Sequence, residues 1–331
     1  MKQIKVLLTG AGGVAVPGLI ESLHARGYFI VATDIDPYAA GLYLADKGYV
    51  IPRADAREFL PAIRGVCRKE HVDVIVPLVD EELIQVLDLE AEGTTVLLPR
   101  KEFVTTCLDK YRLMERLKGH GIRVPGTTLL PDHEIHPSYP AIIKPRRGRG
   151  SRDVCRLEDR DDLLRYLSSH PSLPDQLIVQ EFIEGVEFTV SVVVWRDGEV
   201  QAVVPKEILS KKGVTRMAVT RRNARIEETC HRIQHSLRAD GPFNVQLMLD
   251  GHTGEPFIFE INPRFSTTIS LTMAAGIDEL HGLISQALGG REAYHFTEWT
   301  EGLVLFRRTL DEFWTEPSLE ERSTRIEELL E

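Results

Sequence analysis

The sequence predicts an α/β unit followed by an α+β region, and two observations support this fold class. Up to about residue 98, short apolar strands alternate with helical patterns, which is typical of a parallel sheet with helical crossovers. Beyond Pro125, strands rich in Val, Ile and Phe follow one another closely, separated by Gly and Pro rather than by regular helices. The chain is therefore expected to fold as two differently built parts.

The first part contains a glycine turn between its first strand and first helix, at residues 10–15. The predicted strands of this part cover residues 4–8, 28–33, 72–77 and 96–98. Its predicted helices cover residues 16–26 and 57–69.

The second part is predicted to contain six further strands, and an Asp197-Gly198 turn joins two of them as a hairpin. These strands cover residues 141–144, 177–182, 188–195, 200–206, 244–249 and 256–261. Predicted helices cover residues 159–167, 225–239 and, with some interruption, 270–288. A strand at residues 303–306 and a charged helix from Leu319 are expected near the C-terminus.

The composition excludes several classes of protein. The 331 residues are 43% hydrophobic and 27% charged, which excludes a disordered or fibrous chain. With 40 Lys and Arg against 50 Asp and Glu, the formal charge of -10 repels nucleic acid and anionic lipid. The four cysteines form no CxxC pair, and no apolar run reaches the roughly 20 residues that span a bilayer. We therefore expect a cytoplasmic protein that binds neither nucleic acid nor membranes.

Oxygen-bearing side chains cluster near the end of the strand predicted at residues 256–261. Because strand side chains alternate, Glu260 and Asn262 share one face, whereas Phe259 points into a core. If the preceding strand pairs with this one, Gln246 lies opposite, and the carboxylate and amide oxygens together suit Mg²⁺. A guanidinium just beyond, that of Arg264, would suit a phosphate in transfer. A polar strand face exposed to water explains the same alternation equally well.

A second candidate site is the basic glycine loop at residues 144–151, where a strand ends in Lys144 and Arg149, Gly150 and Ser151 follow. Glycines permit close approach of the backbone, and the loop N–H groups and cations can surround phosphates. The order GxxxxGK[ST] is absent, so this is not a Walker loop. A flexible, solvated cationic hairpin is the alternative.

The third candidate is a strand that leaves one lobe and, after a glycine, enters another. Such a crossing can present backbone groups to an adenine edge while a carboxylate, here Glu187, accepts from the ribose hydroxyls. A β-bulge with exposed acids is the simpler structural explanation. The residues of the crossing are Gln180, Glu181, Phe182 and Ile183.

Together, these segments resemble the ATP-grasp superfamily over most of the chain, specifically single-module carboxylate–amine ligases like the carbamoyl-phosphate synthase large subunit. In that family a Rossmann-like pre-ATP-grasp domain precedes two α+β lobes that clamp ATP. The resemblance implies a pre-ATP-grasp domain at residues 1–98 and a two-lobed ATP-grasp domain at residues 99–290. The small lobe would cover about residues 115–181 and the large lobe about residues 182–290. Residues 291–331 would form a C-terminal strand and an acidic helix.

The resemblance also implies nucleotide contacts. Lys110, which follows Leu108-Asp109, is similar to a lysine that contacts ATP phosphates, and Lys144 is similar to the family's second nucleotide lysine. The loop residues Arg149, Gly150 and Ser151 resemble the loop that covers the phosphates. Gln180 to Ile183 resemble the adenine-binding hinge, and Glu187 the ribose carboxylate.

For the reaction centre, the resemblance makes Gln246, Glu260 and Asn262 the ligands of one or two Mg²⁺ ions, which Mn²⁺ can replace. Arg264 corresponds to the arginine beside the γ-phosphate. Lys206 is a second catalytic candidate, because Lys206-Glu207 and the cation-rich loop at residues 210–216 resemble the segment that overlies the phosphates. The implied reaction activates a small carboxylate as an acyl phosphate and transfers it to an amine, with release of ADP and phosphate. Dimerisation is common in the family, and the sequence leaves a homodimer open.

Two positions depart from the family pattern. Asp153 stands where relatives commonly have a glycine, which predicts a stiffer loop because glycine tolerates positive φ. Phe265 follows Arg264 where many relatives have small residues, so the shape of the substrate can differ there.

The glycine turn supports a rival interpretation. Residues 10–15 satisfy GxGxxG/A, and Asp34 follows at about the interval of a ribose-binding acid, as in an NAD(P)-dependent oxidoreductase. The magnesium and phosphate arrangement predicted for the second part has no role in hydride transfer, so its presence disfavours this class. A non-catalytic ATP-binding protein is the other alternative, and the presence of Glu260, Asn262 and Arg264 disfavours it.

An acidic triplet, Asp80-Glu81-Glu82, follows the strand at residues 72–77. Ligands of open parallel sheets gather at such strand ends, so the triplet is a candidate for substrate recognition. Acids are also favoured at a helix N-terminus, and this capping role is slightly favoured.

Overall fold

The computed structural model describes residues 3–130, 137–170, 176–290, 298–315 and 323–325. Its first part is a parallel sheet in the order β3-β2-β1-β4-β5. The strands are β1 (Lys5–Thr9), β2 (Phe29–Asp34), β3 (Lys47–Val50), β4 (Val74–Val76) and β5 (Thr95–Val96). The helices are α1 (Val16–His24), α2 (Ala40–Leu44), α3 (Phe59–Glu70) and α4 (Leu83–Val86), with a 3₁₀ helix at Leu87–Glu92.

This strand order determines where a ligand can bind to the first part. The direction of the windings reverses between β1 and β4, and ligands of open α/β sheets bind at such a switch point. The chain leaves β1 through the glycine turn and leaves β4 towards Asp80, so these two segments border one crevice. Leu78 N donates to Thr9 Oγ1 at 3.0 Å, which fixes the two strand ends to each other.

A small antiparallel sheet, in the order β6-β9-β7-β8, forms the next part. It follows two helices, α5 (Lys101–Cys107) and α6 (Lys110–Gly119). Asp109 caps α6, because its side chain accepts from Arg112 N at 3.1 Å. The elements of this part are β6 (Thr127–Leu129), β7 (Ala141–Pro145), β8 (Cys155–Leu157), α7 (Arg160–Ser169) and β9 (Leu177–Glu181).

A larger sheet, whose order is β14-β13-β10-β11-β12-β15, carries the remaining strands, and all its neighbours are antiparallel. The strands are β10 (Gly185–Val194), β11 (Val200–Lys212), β12 (Val214–Thr220), β13 (Phe243–Asp250), β14 (Pro256–Asn262) and β15 (Val304–Phe306). The helices are α8 (Ala224–Leu237), α9 (Ile269–Ala274) and α10 (Glu279–Ala287). The predicted fold class, α/β followed by α+β, is confirmed.

Two predicted elements differ in the structure. The strand predicted at residues 200–206 continues to Lys212, and the segment around Gly213 is a hairpin turn rather than a loop. The helix predicted from Leu319 is wrong at residues 323–325, which form β16 (Ser323–Arg325) and pair in parallel with β3. Pairing at the free edge of β3 satisfies backbone groups that a helix would leave unpaired there. The rest of that predicted helix lies outside the described residues.

One hydrophobic core joins the first part to the larger antiparallel sheet. Leu8 and Leu19 from the first part belong to the same buried cluster as Val204, Ile269 and Leu283. The first part therefore packs against α9, α10 and one face of β11. In the described ranges, no helix has the length and apolar character needed to cross a membrane.

Candidate active site

Two cavities share a wall that is formed by the glycine loop and by the larger antiparallel sheet. The smaller cavity, about 240 Å³, lies between the two antiparallel sheets. The larger cavity, about 620 Å³, extends from the end of β14 to the glycine turn after β1. The shared wall consists of Arg149, Gly150, Ser151, Arg152, Glu187, Lys211, Gln246 and Glu260.

The smaller cavity brings together every residue that the sequence predicted as a nucleotide contact. These residues are Lys110, Lys144, Arg149, Gly150, Ser151, Gln180, Glu181, Phe182, Ile183 and Glu187. Apolar side chains that the sequence did not single out complete its walls, and these include Ile142, Val154, Met248 and Phe259. An apolar slot with basic groups at one side suits a purine that carries phosphates.

Two buried lysines form the basic side of the smaller cavity. Lys110, the first residue of α6, donates from Nζ to Gly148 O at 2.6 Å, and Nζ lies 3.8 Å from Glu260 Oε1. Lys144, on β7, donates to Phe259 O at 3.3 Å. Burial lowers the pKa of Lys144 to about 8, and the carboxylate of Glu260 opposes part of this shift. An anionic ligand would therefore relieve an unfavourable buried charge.

The glycine loop is anchored at its base. Arg146 makes two hydrogen bonds of 2.7 Å to the carboxylate of Asp109, so this arginine holds the loop to the start of α6. Gly150, Ser151 and Asp153 all adopt left-handed backbone conformations, with φ of 68°, 56° and 55°. Asp153 therefore occupies a conformation in which the glycine of relatives would be unstrained.

The hinge runs from the end of β9 to the start of β10. Gln180 Nε2 donates to Thr127 Oγ1 at 2.8 Å, and Glu181 accepts from Gly126 N at 3.2 Å. The backbone N–H and C=O groups of Phe182 and Ile183 follow the last residue of β9. These backbone groups border the cavity and can pair with the edge of a base.

The predicted ribose carboxylate has a partner that the sequence analysis did not single out. Lys211 Nζ donates to Glu187 Oε1 at 2.7 Å, and both residues line both cavities. The signal for Lys211 was present in the sequence as Lys211-Lys212-Gly213. That segment was interpreted as a loop over the phosphates, whereas it is the tip of a hairpin.

The predicted metal ligands lie together at the shared end of β13 and β14. Gln246 pairs directly with Glu260, and Asn262 follows two residues later on the same strand. The register shifts between Gln246 and Leu247, so Phe259 is the extra residue of a β-bulge. The prediction that Phe259 points into a core is therefore wrong: Phe259 lines the smaller cavity, and Ile258 occupies the core instead.

The donor set of this cluster fits a hard cation. One carboxylate and two carboxamide oxygens are ligands that Mg²⁺ accepts, and they leave coordination positions for water and phosphate oxygens. Among the described residues, no group of three or more His, Cys, Asp or Glu side chains could hold a metal ion. Because the cluster contains one carboxylate, its charge is too small for tight binding of a divalent cation by the protein ligands alone, and a cation would bind here together with phosphates.

Arg264 lies immediately beyond these ligands and lines the larger cavity. Its Nε donates to Asp80 Oδ1, its Nη1 to Phe265 O at 3.1 Å, and its Nη2 to Asn262 Oδ1 at 3.4 Å. Burial acts to lower the pKa of Arg264, but Asp80 outweighs this and the pKa is raised. The guanidinium is therefore charged and held in a fixed direction.

Lys206 does not line either cavity, which corrects its prediction as a catalytic residue. The side chain is fully buried, and Nζ donates to Ser191 Oγ and Thr272 Oγ1, both at 2.8 Å. Burial lowers its pKa to about 8, against the effect of the nearby Glu279. The side chain points to the face of β11 that packs against α9 and α10, so it stabilises that packing rather than contacting substrate.

The glycine turn is occupied by a side chain of the protein itself. Gly12 N donates to Asp34 Oδ2 at 2.7 Å, and Asp36 N donates to Asp34 Oδ1 at 2.9 Å. A carboxylate therefore fills the place where a dinucleotide would need the turn's N–H groups for its pyrophosphate. This geometry disfavours the oxidoreductase alternative.

Comparison with known proteins identifies two domains in the chain. Residues 107–268 match the family model of the ATP-grasp domain, and residues 6–96 match that of the PylC-like N-terminal domain. The chain therefore contains an ATP-grasp domain, and a PylC-like N-terminal domain precedes it.

Among curated proteins, the chain is similar to a carbamoyl-phosphate synthase of Methanobrevibacter smithii. The two are 24% identical over 290 residues, which is 81% of this chain and 76% of that protein. Large chains of carbamoyl phosphate synthase from two bacteria are matched over only 27% and 28% of their length.

Two solved structures share the fold. The biotin carboxylase domain of a 2-oxoglutarate carboxylase from Hydrogenobacter thermophilus, solved with MgADP and bicarbonate, has a TM-score of 0.74 at 18% identity, covering 92% of this chain and 74% of that one. An L-amino acid ligase from Bacillus licheniformis has a TM-score of 0.71 at 18% identity, covering 89% and 77%. By their names, these three proteins are a synthase, a carboxylase and a ligase.

Proposed function

We propose that this chain is an ATP-dependent ligase that activates a substrate carboxylate as an acyl phosphate and transfers the acyl group to an amine. The observation that carries this proposal is the shared wall of the two cavities. Glu260 and Gln246 face both the cavity suited to a nucleotide and the larger cavity that reaches the first part. A γ-phosphate that leaves the first cavity would therefore meet a carboxylate held in the second.

The chain supplies charge neutralisation for this reaction. Lys110 and Lys144 offset the negative charge of the nucleotide phosphates, and loop N–H groups around Gly150 add dipoles. Mg²⁺ held by Gln246, Glu260 and Asn262 would neutralise charge on the β- and γ-phosphates when it is bound, and Mn²⁺ would do the same. Since both nucleophiles of this reaction, the carboxylate and the amine, belong to the substrates, catalysis rests on positioning and electrostatics.

Two displacements complete the reaction. An oxygen of the substrate carboxylate attacks the γ-phosphorus, the bond to the β-phosphate oxygen breaks, and ADP leaves. A neutral amine then attacks the acyl carbon, phosphate leaves, and the nitrogen loses a proton. Arg264 lies at the junction and stabilises the negative charge on the transferring phosphoryl group and on the tetrahedral adduct.

The test is a screen for ADP release from Mg·ATP across amino acids and small carboxylates, with hydroxylamine present to trap acyl phosphates as hydroxamates. Arg264→Ala should retain ADP binding and lose on the order of 10²-fold in turnover, because one electrostatic contact to the transition state is removed. Arg165→Ala, on the exposed face of α7, is the matched control and should turn over normally. Unchanged turnover in Arg264→Ala would remove this residue from the chemistry.

Small-molecule acids and amines are the proposed substrates, with a peptide-like amide as the first candidate product. The 620 Å³ of the larger cavity suits molecules of amino-acid size. We place the reaction in the cytoplasm, since all four cysteines are free thiols. The division at residues 98 and 290 and a homodimeric state remain proposals, the latter testable by analytical ultracentrifugation.

A further inference from the structure

Two consecutive carboxylates of the first part reach out to two separate elements of the ATP-grasp domain. Asp80 and Glu81 follow β4 and lie just before α4. The next residue, Glu82, turns the opposite way and accepts from Thr9 Oγ1 inside the first part. The three acids therefore do not form one exposed cluster, because each has its own partner.

Asp80 contacts the arginine at the reaction centre. Both side chains are buried, with 9% and 10% of the side-chain surface of Asp80 and Arg264 exposed. The carboxylate accepts from Nε, while Nη1 and Nη2 are directed to Phe265 O and Asn262 Oδ1. Since Nε and both Nη atoms lie in one plane, a carboxylate on Nε determines the direction in which the rest of the guanidinium points.

Glu81 contacts the glycine loop. Its Oε2 accepts from Arg149 Nε at 2.6 Å, and the two side chains are 48% and 33% exposed. Arg149 lies at the tip of the loop and lines both cavities. Arg146 attaches the base of the loop to α6, and the Glu81 contact joins its tip to the first part.

We propose that Asp80 is a positioning residue for Arg264, and that Glu81, through Arg149, holds the glycine loop closed against β10, β11, β13 and β14 where the two cavities meet. This inference rests on the proposed function. One short segment after β4 then controls both the direction of the phosphoryl-stabilising arginine and the closure of the loop. The first part thereby takes part in phosphoryl transfer without contacting the nucleotide.

The role of Asp80 is tested by a double-mutant cycle in the hydroxamate assay. Asp80→Ala should lower kcat at least tenfold and leave the KM for ATP within twofold, because the charge on Arg264 remains but its direction is lost. In the Arg264→Ala background, Asp80→Ala should change kcat by less than twofold, since the group through which it acts is already gone. An equal drop in both backgrounds would mean that Asp80 only supports the packing between the two parts, and would overturn the proposal.

Asp80→Asn provides the same test if Asp80→Ala does not fold. The amide is nearly isosteric and keeps an oxygen towards Arg264 Nε, so circular dichroism and the melting temperature should stay close to those of the wild type. We expect kcat to lie between the values of the wild type and of Asp80→Ala. A kcat equal to that of the wild type would show that the charge of Asp80 does not position the arginine.

The role of Glu81 is tested by limited trypsin digestion, which needs no substrate. Cleavage after Arg147 reports opening of the loop, and Glu81→Gln should raise its rate about twofold to fivefold, the range expected for an ion pair of this exposure. The charge-swapped variant Glu81→Arg/Arg149→Glu should restore the slow rate. The matched control is Asp88→Asn, which breaks another exposed ion pair of the first part with the rest of the chain, here with Lys101 of α5, and should leave the rate unchanged.

The two arms separate the failure of this inference from the failure of the proposed function. If the wild type forms no hydroxamate with any carboxylate, the proposed function fails, and the digestion still reports on the loop. If Glu81→Gln and the wild type are cleaved at equal rates, the assignment of Glu81 is overturned, whatever the enzyme assay shows.

Discussion

Protonation of Lys144 should be coupled to nucleotide binding. The free protein holds this buried ammonium with a pKa lowered to about 8 from an ordinary value of 10.5. Phosphates next to Nζ would favour the charged form and raise the pKa again. At pH 8, about half of the free molecules carry a neutral Lys144, so binding of Mg·ADP should take up about half a proton. At pH 6 the lysine is already charged, so Lys144 should take up no proton when Mg·ADP binds.

Isothermal titration calorimetry measures this uptake when the same titration is run in buffers of different ionisation enthalpy. ADP avoids turnover, and its phosphates are fully ionised at pH 8. The matched control is Lys206→Met, because Lys206 has a similarly lowered pKa but lines neither cavity and should leave the uptake unchanged. Lys144→Met should abolish the uptake and weaken ADP binding.

Lys144→Met, which should weaken ADP binding, should at the same time stabilise the folded protein. Between pH 8 and 10.5 the unfolded chain binds more protons than the folded chain at this residue, so the free energy of unfolding rises with pH there. Below pH 8 the folded state bears the full cost of the buried charge, about 3 kcal/mol for a shift of this size. Lys144→Met should therefore be more stable than the wild type at pH 7, up to about that amount. A proton uptake at pH 8 that is the same in the wild type and in Lys144→Met would refute the assignment of Lys144 to the phosphates.

Three further outcomes are expected. Glu260→Gln removes the one carboxylate of the metal cluster, so turnover should need at least tenfold more Mg²⁺. ADP binding without metal should change little. An unaltered Mg²⁺ dependence would exclude Glu260 as a ligand. Asp153→Gly relieves a left-handed backbone conformation and should change the free energy of unfolding by less than about 1 kcal/mol, as measured by urea denaturation. It should also speed tryptic cleavage after Arg147. A large loss of stability would contradict this. Lys206→Met leaves Glu279 buried without its cation and should lower the free energy of unfolding by about 3 kcal/mol at pH 7. The affinity for ADP should stay unchanged. A weakened affinity would show that Lys206 contributes to the nucleotide site.

The sequence was most informative where the position of a side chain follows from alternation along a strand. Glu260, Asn262 and Gln246 follow from alternation along β13 and β14 and from their turn, and the structure brings them together. Alternation failed at Phe259 because a β-bulge adds one residue to β14, which turns two successive side chains towards the cavity. A bulge leaves no residue pattern that a single sequence reveals.

Contacts between distant segments were the part that the sequence could not supply. Lys206 follows the pattern of a site lysine, yet it is buried beside Glu279, 73 residues further along the chain, because α10 packs on β11. The acids after β4 were interpreted as helix caps or substrate contacts. Their arginine partners lie in elements whose approach to the first part depends on tertiary packing alone.

The buried cluster that contains Leu8, Leu19, Val204, Ile269 and Leu283 limits how this chain can be divided. Cutting it after the first hundred residues would expose apolar surface on both fragments, and each would be prone to aggregate. Chimeras with relatives should therefore exchange α9 and α10 together with the parallel sheet, so that the elements on both sides of this buried cluster come from one parent. A single cooperative melting transition for the intact protein would agree with this.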